Sequence, residues 1–348
     1  MPELPEVESV RRQLAPELTG RRVVAVWWDP HPQQRFSDVG LLEGCRIEAV
    51  TRRGKFLLCP LAVDAAELAG GADEIPEGLR STHGVGAAGG ADEIPEGLRS
   101  THGVGAAGGA DEIPQGSRST HGVGDRDPTG IEGDPEYELV LHLGMTGSFR
   151  FAAADPARTP ADDAAEHVRA RFTLDDGREL RFRDPRRFGR VSVVPAGDYA
   201  GRVPTLAILG PEPLSDDFDP EVFAASLART GATVKAALLG QRLVAGVGNI
   251  YADEALWRAR IHPASRRVGR ARALALHAAI REVLAESIER EGTTFRDYQM
   301  VNGESGRNAD FLDAYGQGDL PCNRCGTPMR RSVVAQRGTT HCPSCQRI

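Results

Sequence analysis

The chain has 348 residues, room for two domains and a small appendage around a sizeable core. Hydrophobic residues make up 40% and the formal charge is −7, a balance typical of a soluble globular protein. No apolar run approaches the roughly 18–20 residues that span a bilayer, and the start lacks the basic-then-apolar pattern of a secretory signal. The expectation is therefore an intracellular protein with no membrane partner.

Apolar residues at Leu4, Val7, Val10 and Leu14 have helical spacing, with Pro5 in the first turn, where its missing N–H costs little. Val23 to Trp28, Arg46 to Val50 and Phe56 to Leu58 are short apolar runs that predict strands. Residues 70–124 are a tandem repeat of period 19, GGADEIPEGLRSTHGVGAA twice and then a diverged copy. A solenoid is one reading. Each unit, however, offers only Ile, Leu and Val as anchors, too little to offset its ordering entropy, so a flexible acidic insertion over 61–136 is expected. His83, His102 and His121 recur because the unit recurs.

Strands are predicted again over Tyr137 to His142, near Phe149, and over Val168 to Leu174, Glu179 to Phe182 and Arg190 to Val194. One leading helix and a run of strands suggest a β-sandwich. Pro and Gly cluster over Pro204 to Leu214, which predicts an interdomain linker, and helices follow over 217–230, 233–240, 249–259 and 268–290. The fold class is thus α+β and multidomain. Its expected parts are a sandwich over 1–203, a linker over 204–214, a helical domain over 215–312 and a small C-terminal module over 313–348.

The acidic charge is unevenly spread. Between Leu61 and Glu136 the net is −11, which leaves +4 for the remainder, and from Arg229 to Ile348 the net is +7. The C-terminal third is a plausible footprint for a polyanion, although a solvated helical surface has the same composition. Lys55 and Lys235 are the two lysines in a chain that otherwise uses arginine. A compact ammonium that can lose its proton or fit a tight site is one reason to keep a lysine, and chance is another.

Cys322-x2-Cys325 and Cys342-x2-Cys345 are 16 residues apart, the spacing of a tetrahedral four-cysteine zinc site on a hairpin. Two disulfides or a redox pair are the rival readings; an intracellular compartment disfavours the first, and a single C-x2-C would suffice for the second. With all four positions taken by thiolates, the single Zn2+ is structural. The hairpin would turn Arg330, Arg331 and Arg337 outward, toward phosphate. Cys45 and Cys59 lie in strand-like contexts and are expected to be buried and inert.

Removal of the initiator methionine would expose the secondary amine of Pro2. At a helix N-terminus the dipole disfavours its ammonium form, and the neutral amine is a competent nucleophile. Glu3 and Glu6 would flank it as acid and base, although Pro and Glu are also ordinary choices at a helix start. Gly246-Val247-Gly248-Asn249 precedes a predicted helix, where free N–H groups can meet phosphate.

MPELPEVESVRRQL, RRGK at 52–55, HLGMTG at 142–147, DPRRFG at 184–189, LGPEPL at 209–214, VAGVGNIYADEALWRARIHP at 244–263, GTTFRDY at 292–298 and the cysteine module occur in one order. In these blocks the chain resembles the formamidopyrimidine-DNA glycosylase family over nearly all its length except the repeats. The resemblance implies Pro2 as Schiff-base nucleophile, Glu3 as general acid/base and Lys55 beside the lesion. Arg337 would grip the phosphates around the reacting centre and is grouped with these three. Glu6, His142, in the same predicted strand as Met145, and Asn249 would serve DNA binding. Met145, Arg186 and Phe188 would fill the space left by an extruded base, restoring part of the lost stacking and pairing the orphaned cytosine.

The resemblance thus implies a monomeric enzyme of the cytoplasmic nucleoid, acting on double-stranded DNA with an oxidised purine or an abasic site by base release and β,δ-elimination. No nucleotide cofactor is implied. An endonuclease VIII-like enzyme for oxidised pyrimidines and a non-catalytic damage-binding protein are the alternatives. Leu4, Arg186 and Phe188 weigh against the first, and the joint presence of Pro2 and Glu3 against the second. Two departures from the family pattern stand out: the insertion, expected to loop away from the cleft because its charge repels DNA, and the polar segment Gln299 to Phe311, where relatives carry a mobile lesion-sensing loop.

Overall fold

A computed structural model describes residues 2–31, 35–63, 136–294 and 299–348. The repeats, with His83, His102 and His121, and residues 295–298 of the GTTFRDY block lie outside the described residues. So does the expectation about where the insertion points.

Helix α1 (Leu4–Leu18) leads into two antiparallel-dominated sheets. The first has four strands in the order β1 (Val23–Trp28), β8 (Val168–Leu174), β9 (Arg178–Arg183), β7 (Ser148–Ala153). The second runs β2 (Arg35–Ser37), β10 (Arg190–Pro195), β6 (Tyr137–His142), β5 (Phe56–Val63), β3 (Cys45–Ile47), with β4 (Thr51–Arg53) on β5. Their inner faces share one core with Val7, Val10, Leu14 and Leu18 of α1, and Phe149, Phe172 and Phe182 fill its centre. This is the expected leading helix and sandwich.

Helices α2 (Pro160–Ala165) and α3 (Pro204–Ala207) are short; α3 occupies the stretch expected to be linker. Four further helices, α4 (Pro220–Arg229), α5 (Val234–Leu239), α6 (Asn249–Arg258) and α7 (Arg270–Glu289), sit within two residues or so of the predicted spans, apart from α4, which starts three residues late. Asp219 and Thr233 cap α4 and α5 through their side-chain oxygens. A second core of Phe218, Phe223, Leu256, Leu276, Ile280 and Leu284 holds the helices together. Leu4 belongs to this helical core, while Val7 three residues later belongs to the sandwich core. The N-terminus is thereby wedged into the seam between them. The C-terminal hairpin pairs β11 (Arg330–Val334) with β12 (Arg337–His341). No helix among the described residues is long and apolar enough to cross a membrane.

Three expectations need correction. Leu61 to Val63 are not insertion but the end of β5, which continues through Pro60 and pairs Leu61 with Tyr137. Pro60 reads as a strand breaker, yet it needs no N–H here, and its carbonyl accepts from Glu48 N at 2.9 Å. The strand predicted over Arg46 to Val50 is shorter, Cys45–Ile47. Met145 does not share a strand with His142: the strand ends at His142, and Gly144 at φ +64° turns the chain into a tight loop.

Candidate active site and zinc centre

Pro2 and Glu3 are buried where α1 begins. The Glu3 carboxylate accepts hydrogen bonds from Gly248 N (2.8 Å), Ile250 N (2.9 Å) and Tyr251 N (3.4 Å), the open N–H groups at the start of α6. A helix N-terminus is a natural seat for a carboxylate. The seat demands glycine: a Cβ on Gly248 would lie 2.2 Å from Glu3 Cδ. Leu4 N donates to Gly246 O at 3.1 Å, so the Gly246–Asn249 run grips the N-terminus on two sides.

Glu6 is buried one turn on. It accepts from Glu3 N (2.7 Å), Thr293 N (2.7 Å) and the Tyr251 hydroxyl. Burial, then the neighbouring Glu3 charge, push its carboxyl up to about 7. Lys55 is also buried; desolvation lowers its ammonium below the usual range, Glu3 and Glu6 oppose that, and the Arg337 charge adds to it. The C-terminal hairpin meets the same helix start: Asn249 Nδ2, between the Gly248 and Ile250 amides that hold Glu3, donates to Gly338 O at 3.1 Å.

The turn carrying Lys55 is fastened by Glu212 of the LGPEPL block. Its carboxylate accepts from Gly54 N (2.5 Å), Arg52 Nη1 (2.8 Å) and Arg53 Nη1 (3.2 Å), and Arg52 also reaches Glu8 on α1 at 3.2 Å. Lys55, His142 and Phe188 line one cavity of about 410 Å³, together with Arg35, Phe56 and Arg190. His142 Nδ1 accepts from Gly144 N at 3.1 Å. Burial, then Lys55, Arg190 and Arg35, depress its imidazole to about 4, so it is neutral near pH 7 and keeps its Nε2–H as a donor.

Met145 and the Arg186–Phe188 segment occupy two adjacent turns held by a buried aspartate. Asp184 accepts from the Thr146 hydroxyl (2.5 Å) and from Gly189 N (2.7 Å), while Arg186 N donates to Thr146 Oγ1 at 3.2 Å. A Cβ on Gly144 would lie 2.5 Å from the Phe188 carbonyl carbon, so the two turns meet backbone to backbone. Met145 is half-buried, Arg186 exposed, and Phe188 is 41% exposed, its ring 4.9 Å from the Arg186 guanidinium carbon. Asn249 Nδ2 donates to Gly338 O at 3.1 Å, next to the exposed Arg337.

Further residues, none of them given a role by the sequence alone, hold the site. Lys235, whose retention left chance open, is fully buried; its ammonium donates to Asp253 Oδ1 (2.6 Å), Thr339 Oγ1 (2.8 Å) and Gly338 O (3.2 Å). Asp253 also accepts from Thr340 N at 2.9 Å, so the pair clamps β12 to α6. Glu254 accepts from Asp313, Ala314 and Tyr315 N at 2.7–2.9 Å, which fixes the chain entering the hairpin. The rarity of lysine was a usable signal for Lys235. Asp253 and Glu254 carried no signal of their own.

The Sγ atoms of Cys322, Cys325, Cys342 and Cys345 lie within 4.8 Å of one another. Trp257 Nε1 donates to Cys322 Sγ and Cys345 N to Cys342 Sγ, both at 3.4 Å, contacts suited to thiolate sulfur. The set fits one tetrahedral structural zinc ion, with no position left for a reactant.

Family models match most of the chain. The formamidopyrimidine-DNA glycosylase N-terminal domain matches residues 1–71 and 129–191, the formamidopyrimidine-DNA glycosylase H2TH domain matches 209–299, and the zinc finger found in FPG and IleRS matches 319–348. The formamidopyrimidine-DNA glycosylase of Deinococcus radiodurans is 39% identical over 99% of this chain and 97% of its own length. The crystal structure of MutM (Fpg) from Thermus thermophilus superposes with a TM-score of 0.70 at 38% identity, covering 99% of this chain and 98% of that one. The Lactococcus lactis Fpg complex with abasic-site DNA gives 0.69 at 26% identity, over 99% and 100%. A MutM complex with carbocyclic 8-oxo-G DNA gives 0.70 at 26%, over the full length of both. The chain belongs to the formamidopyrimidine-DNA glycosylase family.

Proposed function

We propose that the chain excises oxidised purines from duplex DNA and then cuts the strand at the abasic site, with Pro2 as nucleophile. The arrangement of Glu3 carries the reading. A carboxylate adjoining Pro2 in the chain is buried and oriented by three N–H groups of another domain. Those donors hold a proton acceptor in a fixed place beside the amine that would attack the sugar.

With Met1 removed, the neutral Pro2 amine attacks C1′, and the N-glycosidic bond breaks with its electron pair leaving on the base, which takes up a proton. The amine sheds its proton, the C1′–O4′ bond opens with its electron pair leaving on O4′, which takes up a proton, and the resulting ring-opened iminium acidifies the 2′ hydrogen. Glu3 removes that proton, the 3′ phosphate departs by β-elimination, and a second elimination releases the 5′ phosphate. Lys55 and Arg337 would bind the phosphates flanking the sugar, and His142 and Asn249 the backbone further out. Met145, Arg186 and Phe188 would occupy the space of the extruded base. The zinc ion, held by Cys322, Cys325, Cys342 and Cys345, would stiffen the hairpin that presents Arg337. The working arrangement is a monomer on nucleoid DNA, with the sandwich over 1–203, the helical domain over 215–312 and the zinc finger over 313–348 closing on the duplex.

The test is borohydride trapping on a duplex with one 8-oxoguanine opposite cytosine. A covalent band that disappears in Pro2→Gly is expected. Tight binding without trapping, on either the lesion or an abasic duplex, would overturn the enzymatic reading.

A further inference from the structure

The segment Asp184–Gly189 exposes Arg186 and Phe188, and the residue between them is turned the other way. Arg187 has φ +58°, left-handed backbone that a side-chain-bearing residue adopts at a cost. Its guanidinium donates to Asp29 Oδ2 at 2.5 Å, just past the end of β1. Asp29 is itself built in: its N–H donates to Arg169 O at 2.8 Å, and its Oδ1 accepts from His31 N at 3.0 Å. Arg169, 4% exposed, donates to Asp29 Oδ2 (3.2 Å) and through Nε to Asp184 O (3.1 Å). Arg187 N closes the loop onto the same Asp184 carbonyl at 3.3 Å.

Asp184 fixes the two feet of the loop through Thr146 and Gly189, and Arg186 N and Arg187 N tie the backbone of the tip to Thr146 Oγ1 and to the Asp184 carbonyl. Of the three tip side chains, Arg187 is the one turned inward, onto Asp29. With Arg187 pulled back to Asp29, its two neighbours project together to solvent, their side chains 4.9 Å apart. Released from Asp29, Arg187 would lose the contact that offsets its left-handed backbone, and a flip there would rotate Arg186 and Phe188 relative to each other.

We propose that Asp29 is a positioning residue for base extrusion, tethering Arg187 so that Arg186 and Phe188 enter the duplex as one rigid wedge. The inference rests on the proposed glycosylase function and assigns Asp29 no contact with DNA. It separates two steps of one reaction. Removing a base from a lesion duplex requires extrusion, whereas a preformed abasic site has no base to extrude.

The full-length protein would be assayed on an 8-oxoguanine duplex with 2-aminopurine beside the lesion, and on the same duplex with a preformed abasic site. Asp29→Asn is expected to lower kcat for base release on the order of tenfold to a hundredfold, the usual penalty for a misplaced group. It should also reduce the 2-aminopurine rise, with abasic-site cleavage changed by no more than about twofold. Asp29→Glu should restore most of the loss, because it keeps the carboxylate. Arg187→Gly adopts the same backbone freely but has no tether, and should reproduce Asp29→Asn even if that variant folds poorly. Equal losses on both substrates, or wild-type behaviour of both variants, would overturn the proposal. A wild-type protein inactive on both duplexes would instead overturn the functional reading.

Discussion

Lys235 Nζ lies 2.6 Å from Asp253 Oδ1, and both side chains are fully buried. Burial works against both charges, pushing Asp253 up to about 6 and Lys235 down, so the pair survives through its hydrogen bonds to Thr339, Gly338 and Thr340. Lys235→Met leaves a buried carboxylate without its cation, a change that costs about 3–5 kcal/mol. The double variant Lys235→Met with Asp253→Leu should be the more stable of the two in urea unfolding. Both should bind abasic duplex more weakly than wild type, because the strand beginning at Arg337 loses its clamp. A single variant as stable as wild type would refute this account of the clamp.

Gly248→Ala should separate folding from activity. Its Cβ would stand 2.2 Å from Glu3 Cδ, while the position itself has ordinary extended backbone at φ −123°. The collision is therefore with the carboxylate and not with the fold. Circular dichroism should remain near wild type, and nicking of abasic DNA should fall on the order of a hundredfold, the scale expected when a reacting group is displaced by about 1 Å. Nicking at the wild-type rate would show that the seat of Glu3 tolerates movement.

Glu6 gives the protein a pH signature of defined sign. Its carboxyl is raised from 4.5 to about 7 by burial and by Glu3. A raised carboxyl binds its proton more tightly in the folded state. Its contribution is complete below about pH 4.5 and is lost as pH rises through about 7, a change of about 3 kcal/mol. Asp253 and Glu254 are raised into the same range, so the informative quantity is the difference between wild type and Glu6→Gln. That difference should change between pH 5 and 8 and be flat above 8. A pH-independent difference would mean that Glu6 is ionised throughout.

The sequence was most legible where a residue's chemistry and its periodicity coincide. Helix α1 follows from Leu4, Val7, Val10 and Leu14, and the zinc centre from four cysteines at hairpin spacing. The candidate catalytic residues were reached through block resemblance, since Pro and Glu at a helix start are ordinary. Partners that act across the chain were not legible. Glu212 lies 158 residues from Gly54, and Tyr251 lies 245 from Glu6; no local pattern announces either bond. The run of β5 through Pro60 to Val63 was not legible either, because a residue that breaks most strands sits here where its missing N–H costs little.

The segment after the undescribed residues 295–298 is anchored more firmly than its polar composition suggests. Met300 is buried in the sandwich core, with Gln13 Nε2 donating to its sulfur at 3.3 Å. Arg150 on β7 donates to the carbonyls of Met300 and Val301 and, at 2.5 Å, to Gln299 Oε1. Arg150→Ala removes several of these contacts at once. Hydrogen exchange over 299–304 should accelerate at least about tenfold, equivalent to a loss of about 1.4 kcal/mol in local opening. The amides of β5 and β6 should keep their protection. Unchanged exchange in the segment would show that Met300, Val301 and Gln13 hold it without Arg150.

The acidic repeats should be removable. They enter the chain between β5 and β6, adjacent antiparallel partners in register from Phe56 opposite His142 to Leu61 opposite Tyr137. Lys55 and His142 lie at one end of this ladder, and the connection leaves from the other, about five residues or ~17 Å away. Deleting 70–124 spares every described strand residue and leaves 64–69 and 125–136 to join the two strands. Shortening a closed loop about fourfold recovers about 1 kcal/mol of closure entropy. It also removes a net −5 of charge, from −7 to −2 for the chain. The shortened protein should match or slightly exceed wild-type stability, nick abasic DNA at the same saturated rate, and bind duplex more tightly at low salt, with the gain fading as salt rises. A fall in melting temperature or in saturated rate would mean that the repeats contribute contacts to the folded enzyme.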